Sequence, residues 1–270
     1  MDASGGSQRL TIVLPAYNEA ARIGPALHEI FGYLRSGKAG PGGTTPHGLA
    51  PEIDVLVVDD GSTDGTVELV LARPEAAPAA PSPTLRILQV ARGGKGAAVK
   101  AGLLAATGDL VVFADADMAT PPDQLPKLVA ALRTADVALG SRIQPDGSDM
   151  RATQPPLRRL FGKAFHALAS FWVVGPVEDT QCGFKGFTRA AARDLAGRQR
   201  ITSIVFDVEL IHLARRRGYS LAVVPIRWTD VHGSRMKPRL ALALRVGWDL
   251  FRIPFIHRGV RRASTSRAEG

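Results

Sequence analysis

An open α/β domain with a mostly parallel central sheet flanked by helices is predicted for this 270-residue chain. Three observations predict it. Short β-branched apolar runs alternate with helical periods through the first half, Gly, Pro or an acid pair closes most of those runs, and polar side chains crowd their C-terminal ends. In an open sheet of this class, ligands bind at those ends.

Leu10 to Leu14 reads as a buried strand closed by Pro15, and Asn18 and Glu19 open a helix through about Leu34. Ser36 to Pro51, rich in Gly, Pro and Thr without an apolar period, reads as a flexible insertion. Ile53 to Val58 is a second strand ending in Asp59-Asp60-Gly61-Ser62, and a helix capped by Ser62 or Thr63 is expected to run to Ala72. Pro74 to Pro83 reads as a surface loop. Leu85 to Val90 is a third strand, Gly93-Gly94-Lys95-Gly96 a tight turn, and Ala97 to Thr107 an alanine-rich helix. Leu110 to Ala114, Gln124 to Leu132 and Ala135 to Leu139 continue as strand, helix and strand, ending at Gly140-Ser141-Arg142.

The second half is less regular. It predicts a helix from about Pro156 to Trp172, a loop at Asp179 to Gly183, helices near Arg189 to Leu195 and Asp207 to Arg217, and a last strand at Ser220 to Arg227. A basic tail follows, with Leu240, Leu244, Trp248 and Phe251 at helical spacing. We divide the chain into one domain over 8–230, with halves 8–142 and 143–230, and a tail over 231–270.

Composition narrows the function. The single cysteine, Cys182, leaves no internal disulfide framework and no cysteine-based zinc site, which fits a reducing compartment. Met1 to Gln8 shows no apolar leader, and stretches such as Ala167 to Val177 are shorter than the roughly 18–20 residues that span a bilayer. Most of the +9 charge lies late: Val231 to Gly270 holds nine Lys/Arg against two Asp/Glu. Charge confined to one tail, without a recognition helix or stacking platform, disfavours nucleic-acid binding. It suits an anionic membrane surface, as does the helical spacing of Leu157, Leu160, Phe161, Ala164, Phe165, Leu168, Phe171 and Trp172, although that period also suits a helix packed on the core. The expected location is cytoplasmic, peripheral on a membrane face, with a membrane-protein partner or a second copy of the chain left open.

Asp115-Ala116-Asp117 follows a strand, and carboxylates at i and i+2 of an extended segment project to one side, where they can share a hard cation, Mg²⁺ or Mn²⁺. Asp59 and Asp60 either accept from a nucleotide's base or ribose or close an Asx turn before the next helix. Arg92-Gly93-Gly94-Lys95 offers backbone amides, a cation and a helix N-terminus for an anion, or else a tight turn with a solvated lysine, and it lacks the Gly-Lys-Ser/Thr ending of a Walker loop.

Taken together, Leu14-Pro15-Ala16-Tyr17-Asn18-Glu19, Val57 to Thr66, Gly94-Lys95-Gly96 and Ala114-Asp115-Ala116-Asp117 resemble the family-2 glycosyltransferases of the GT-A fold, in order and spacing over residues 10 to about 142. The resemblance implies a Rossmann-like sheet, a nucleotide-sugar donor and inversion at the transferred sugar. It implies a nucleoside held by Pro15, Ala16, Tyr17, Glu19 and Asp60, with Asp115, Ala116 and Asp117 at the diphosphate and metal; Asp59 and Lys95 join the donor set.

Gly140-Ser141-Arg142, Asp179 to Lys185, Phe206-Asp207-Val208-Glu209 and Val231-His232-Gly233-Ser234-Arg235 look like the dolichyl- and polyprenyl-phosphate hexosyltransferases, and Asp179 to Lys185 is most similar to the dolichyl-phosphate β-glucosyltransferase branch. That implies UDP-glucose. Ala119 stands where the mannosyltransferase branch often has Gln, and GDP-mannose remains the alternative donor. A phosphate acceptor is already ionised and needs cations rather than a base. Arg142, Lys185, Gln181, His232, Arg235 and Lys237 are the expected acceptor set. Asp179 and Asp207 act as bases only if the acceptor is a saccharide hydroxyl, and otherwise orient their neighbours.

Overall fold

The computed structural model describes residues 8–36, 49–50, 52–78, 80–153, 156–230 and 240–262. Most of the insertion expected at Ser36 to Pro51, and His232, Arg235 and Lys237, lie outside these residues. The first half follows the expected alternation: β1 (Arg9–Ala16), α1 (Ala20–Arg35), β2 (Glu52–Asp59), α2 (Thr66–Leu71), β3 (Thr84–Gln89), α3 (Lys95–Ala105), β4 (Leu110–Ala114), α4 (Leu125–Ala131) and β5 (Val137–Ser141). Then come α5 (Pro156–Ala169), which runs into a π turn at Ser170–Val174, β6 (Phe184–Thr188), α6 (Arg189–Arg198), α7 (Phe206–Arg217), β7 (Leu221–Pro225) and α8 (Leu240–Ile256).

The seven strands are ordered β3-β2-β1-β4-β6-β5-β7. β1 pairs in parallel with both β2 and β4, and β5 with β7. The strand order therefore reverses about β1, which opens a crevice between β1 and β4 at their C-terminal ends. Because helices cover both faces, the central strands read as continuous apolar runs rather than alternating ones. Val13, Val58, Val111 and Phe113 turn to a core shared with α3, α6, α7 and α8, while Ile12, Leu14, Val57 and Val112 turn to α1 and α4.

Four sequence expectations need correction. Phe184 to Thr188 is a strand, absent from the sequence reading, and it runs antiparallel between β4 and β5. α2 starts at Thr66, not Thr63, because Gly65 takes a left-handed φ of 86° ahead of it; Ser62 and Thr63 do not cap it. Asp64, just before the Gly65 N-cap, accepts from the Thr66 N–H at 3.2 Å and from Thr66 Oγ1 at 2.5 Å. Within Pro74 to Pro83, a 3-10 turn buries Glu75 as the partner of Arg35 and Arg73, at 2.8 and 3.0 Å, so this loop folds back onto α1.

α8 joins the body of the domain. Leu250 and Ile253 belong to the core, and His257 Nε2 meets the buried Glu209 carboxylate of α7 at 2.6 Å. Among the described residues, no helix is long and apolar enough to cross a membrane.

Candidate active site

The turn after β1 is fixed by the turn after β2. Asn18, at φ 51°, accepts the Thr63 N–H at 2.8 Å, its own N–H donates to Ser62 Oγ at 2.9 Å, and the Glu19 N–H donates to Thr66 Oγ1 at 2.9 Å. These bonds hold Pro15, Ala16, Tyr17 and Glu19 at the mouth of the crevice, where they line an open cavity of about 480 Å³. Glu19 is clamped by Arg22 through two bonds of 2.6 and 2.8 Å.

The two acids after β2 divide their work. Asp59 accepts the Ser62 N–H at 3.1 Å, the Asx turn anticipated as one of two readings, and does not line the cavity. Asp60 lines the cavity. Its carboxylate accepts from the Gly93 N–H at 2.7 Å, from the Gly94 N–H at 2.9 Å and from Arg92 Nη1 at 2.6 Å. The glycine amides that looked like an anion cradle are thus spent on Asp60. A Cβ on Gly94 would lie 2.9 Å from the Thr202 carbonyl oxygen, and φ there is 96°, so only glycine fits this crossing.

Arg92 lies over the Tyr17 ring, 3.1 Å from its centroid. It entered the sequence reading only as the first residue of the glycine-rich run, and Arg22 and Ile204, which also line the cavity, did not enter it as site residues. The run Arg92-Gly93-Gly94-Lys95 was the available signal for Arg92.

Across the crevice, β4 delivers Asp115, Ala116 and Asp117 to the same cavity. The Asp115 N–H donates to the Gly183 carbonyl at 3.0 Å, and Lys95 Nζ pairs with Asp115 Oδ1 at 2.7 Å. Asp117 closes a turn by accepting the Ala119 N–H at 3.1 Å, with Met118 at φ 54° between them. Burial and the neighbouring Asp115 charge push the Asp117 carboxyl above the usual carboxylate range. Burial works against the Lys95 charge, but Asp115, Asp207 and Asp117 outweigh it and raise that ammonium's pKa.

Gly183 is a further requirement. A Cβ there would sit 2.1 Å from Asp115 Oδ2. Gly183→Ala is therefore expected to displace the Asp115 carboxylate and lower activity by about tenfold or more, since misplacement of a positioned group by about 1 Å costs on the order of 10²-fold. Steady-state turnover with an unchanged melting temperature would check this.

The expected acceptor residues behave differently. Arg142, at the end of β5, donates to Asp179 through Nε and Nη2, both at 2.7 Å, and through its backbone N–H at 3.0 Å. Asp179 is 3% exposed, and although burial alone would raise its carboxyl, these bonds hold it below the usual range. Lys185 does not reach the surface at all. It is 0% exposed on β6, donating to the Cys182 carbonyl at 2.5 Å and to Asp207 at 2.6 Å. Its expected place beside a phosphate is corrected to a buried ion pair. Burial lifts the Asp207 carboxyl, with Lys185 and Lys95 opposing it. Neither Arg142 nor Gln181, which is half-buried, lines the cavity. Burial pushes the Cys182 thiol up to about 12, so it is no nucleophile.

An open sheet with a crevice at its reversal point and paired acids at the end of the fourth strand is the arrangement expected of a GT-A glycosyltransferase, and the comparisons agree. Residues 11–196 match the family described as glycosyl transferase family 2, and the chain belongs to that family. It is 38% identical to a dolichyl-phosphate beta-glucosyltransferase of Trichomonas vaginalis, over 92% of this chain and 71% of the relative. The enzyme of the same name from Drosophila melanogaster is 37% identical over 92% and 74%. Among solved structures, glucosyl-3-phosphoglycerate synthase from Mycobacterium tuberculosis, in complex with Mn²⁺ and uridine-diphosphate-glucose, shares the fold with a TM-score of 0.61 at 20% identity, over 92% of this chain and 79% of that one.

Proposed function

We propose that this enzyme transfers glucose from UDP-glucose to a dolichyl or other polyprenyl phosphate, with inversion at the anomeric carbon. The observation that carries the reading is the shared cavity of Tyr17, Asp60, Asp115 and Asp117. The names of its relatives support glucose and the lipid phosphate. The fold neighbour's complex with uridine-diphosphate-glucose supports the donor.

Tyr17 offers an aromatic face and Asp60 a buried acceptor for the nucleoside's N–H or O–H donors, both now engaged by Arg92. Asp115 and Asp117 would hold Mg²⁺ or Mn²⁺. They fit it in two respects: both are hard oxygen donors at one edge of the cavity, and burial together with the Asp115 charge raises the Asp117 carboxyl, a cost that a cation between the two acids would offset. Among the described residues no third His, Cys, Asp or Glu joins them, which leaves the remaining positions to water and diphosphate oxygens. When bound, such an ion offsets the charge of the leaving nucleoside diphosphate. Lys95, at the same edge, contributes a further positive charge there.

The two acids proposed as bases for a hydroxyl acceptor are otherwise employed: Asp179 orients Arg142 and Asp207 pairs with Lys185. An acceptor that is already an anion needs neither. Arg142 keeps Nη1 free of Asp179 and stacks 5.5 Å from the Trp228 ring, so it is the cation we assign to the lipid phosphate.

Incubating the full chain with Mg²⁺ or Mn²⁺, a short polyprenyl phosphate and either UDP-glucose or GDP-mannose tests this by mass spectrometry of the lipid. Glucosyl-phosphoryl lipid from UDP-glucose is expected. A mannosyl product from GDP-mannose alone would reverse the donor assignment.

A further inference from the structure

Glu209 of α7 has no part in the chemistry described above, yet it is 0% exposed. A carboxylate so placed is costly unless its oxygens are met. The connection between α6 and α7 meets them. Oε1 accepts the Arg200 N–H and Oε2 the Ile201 N–H, both at 2.8 Å, and His257 Nε2 of α8 lies 2.6 Å from Oε1. Backbone donors thus converge on both terminal atoms, and only a carboxylate offers acceptors on both.

The same connection runs on to the edge of the donor cavity. Gly96, in the first turn of α3, is held by both of its backbone groups: its N–H donates to the Thr202 carbonyl at 3.0 Å, and its carbonyl accepts from Gln199 Nε2 at 2.8 Å. Gln199 Nε2 also donates to the Ile201 carbonyl at 2.9 Å, and Ser203 Oγ donates to Asp249 of α8 at 2.6 Å. The contact leaves no room. A Cβ on Gly96 would lie 2.9 Å from the Thr202 carbonyl carbon and 2.8 Å from Phe206 Cβ.

Lys95 is the residue before Gly96. Its side chain is part-exposed, so the place of its ammonium, 2.7 Å from Asp115 Oδ1, depends on where the first turn of α3 begins. Ile204, two residues past Thr202, lines the cavity together with Lys95 and Asp115. A chain of short contacts therefore leads from Glu209 through Ile201 and Thr202 to Gly96 and Lys95.

We propose that Glu209 is a positioning residue for the donor diphosphate. It holds residues 199–204 against the first turn of α3 and thereby sets Lys95 beside Asp115. The proposal rests on the reading above that places the diphosphate at the edge formed by Lys95, Asp115 and Asp117.

Calorimetric titration of UDP, with Mn²⁺ present, into wild type, Glu209→Gln, Lys95→Ala and the double variant tests it. Glu209→Gln keeps the side chain's volume but turns one accepting oxygen into a donor, so one of the two amides loses its partner. UDP is expected to bind about tenfold more weakly to Glu209→Gln, and that loss should vanish in the Lys95→Ala background, because residues acting through one contact are not additive. In steady state the donor KM should rise while the acceptor KM stays the same, whereas a mere loss of folded protein lowers kcat and leaves both KM values alone. Unchanged UDP affinity in folded Glu209→Gln overturns the proposal, as does the full loss persisting without Lys95.

Amide hydrogen exchange of the wild type decides the matter if Glu209→Gln does not fold. The Gly96, Arg200 and Ile201 amides should be protected to within about tenfold of one another, as one unit, and a Gly96 amide that exchanges about a hundredfold faster than the other two overturns the proposal. Failure of the wild type to bind UDP defeats the donor reading instead, and is told apart from failure of the Glu209 tether by these same amides.

Discussion

Asp117→Ala is expected to lower glucosyl transfer by about 10³-fold, equivalent to roughly 4 kcal/mol of transition-state stabilisation, while the melting temperature is unchanged or slightly raised. The stability half of that statement follows from the electrostatics of the site. Asp117 is a half-buried carboxylate beside another carboxylate, with its proton affinity raised, so removing it relieves repulsion instead of breaking a stabilising pair. Among the described residues its carboxylate accepts one hydrogen bond, from the Ala119 N–H. The activity half follows from the divalent ion assigned to the pair, since Asp115 alone, already paired to Lys95 at 2.7 Å, would be a poor ligand set. Turnover measured beside a thermal melt separates the two. Near-normal turnover in the folded variant would show that the acids do something other than hold a cation.

Lys185→Ala should have the opposite signature. Its ammonium is wholly inside the protein, and its removal leaves Asp207, 4% exposed, without its nearest cation and the Cys182 carbonyl without a donor. Breaking a buried pair from one side costs about 3–5 kcal/mol, which for a chain of this size lowers the melting temperature by about 6–20 °C. Replacing both partners by apolar residues, as in Lys185→Met with Asp207→Leu, is expected to restore most of the loss. A lysine that instead touched the acceptor phosphate would leave the melt unchanged and raise the acceptor KM. Chemical denaturation of the single and double variants, read beside acceptor kinetics, distinguishes the two roles.

The contrast between Asp117 and Lys185 also shows what could be read from the sequence and what could not. The alternation of apolar runs and helical periods, and the acids at strand ends, are local features. From them followed the parallel half of the sheet, the crevice and the placement of Asp60, Asp115 and Asp117 around it. Lys185 misled for a physical reason. A lysine in a segment such as Phe184-Lys185-Gly186-Phe187-Thr188 reads as polar and exposed, and only a partner 22 residues further along, on α7, makes its burial tolerable. The same lysine and glycine hid β6, which is antiparallel and gains its place from β4 and β5 on either side rather than from its own pattern.

Asp59 and Asp60 illustrate the limit differently. Adjacent residues on a strand end point to opposite sides, and which acid lined the cavity could not be told until the turn after β3 brought Arg92 and Gly93 against one of them. Arg142 and Asp179 were legible as a cation and its neighbour, but not as a bidentate pair that fixes the guanidinium plane.

Calorimetric titration of UDP into the full chain, with and without Mn²⁺, probes the shared cavity directly. Saturable binding that strengthens at least tenfold with the ion in wild type, and shows no such gain in Asp117→Ala, is the predicted result. Binding of equal strength with and without Mn²⁺, or none in either case, would contradict the assignment of Asp115 and Asp117 to a metal-held diphosphate.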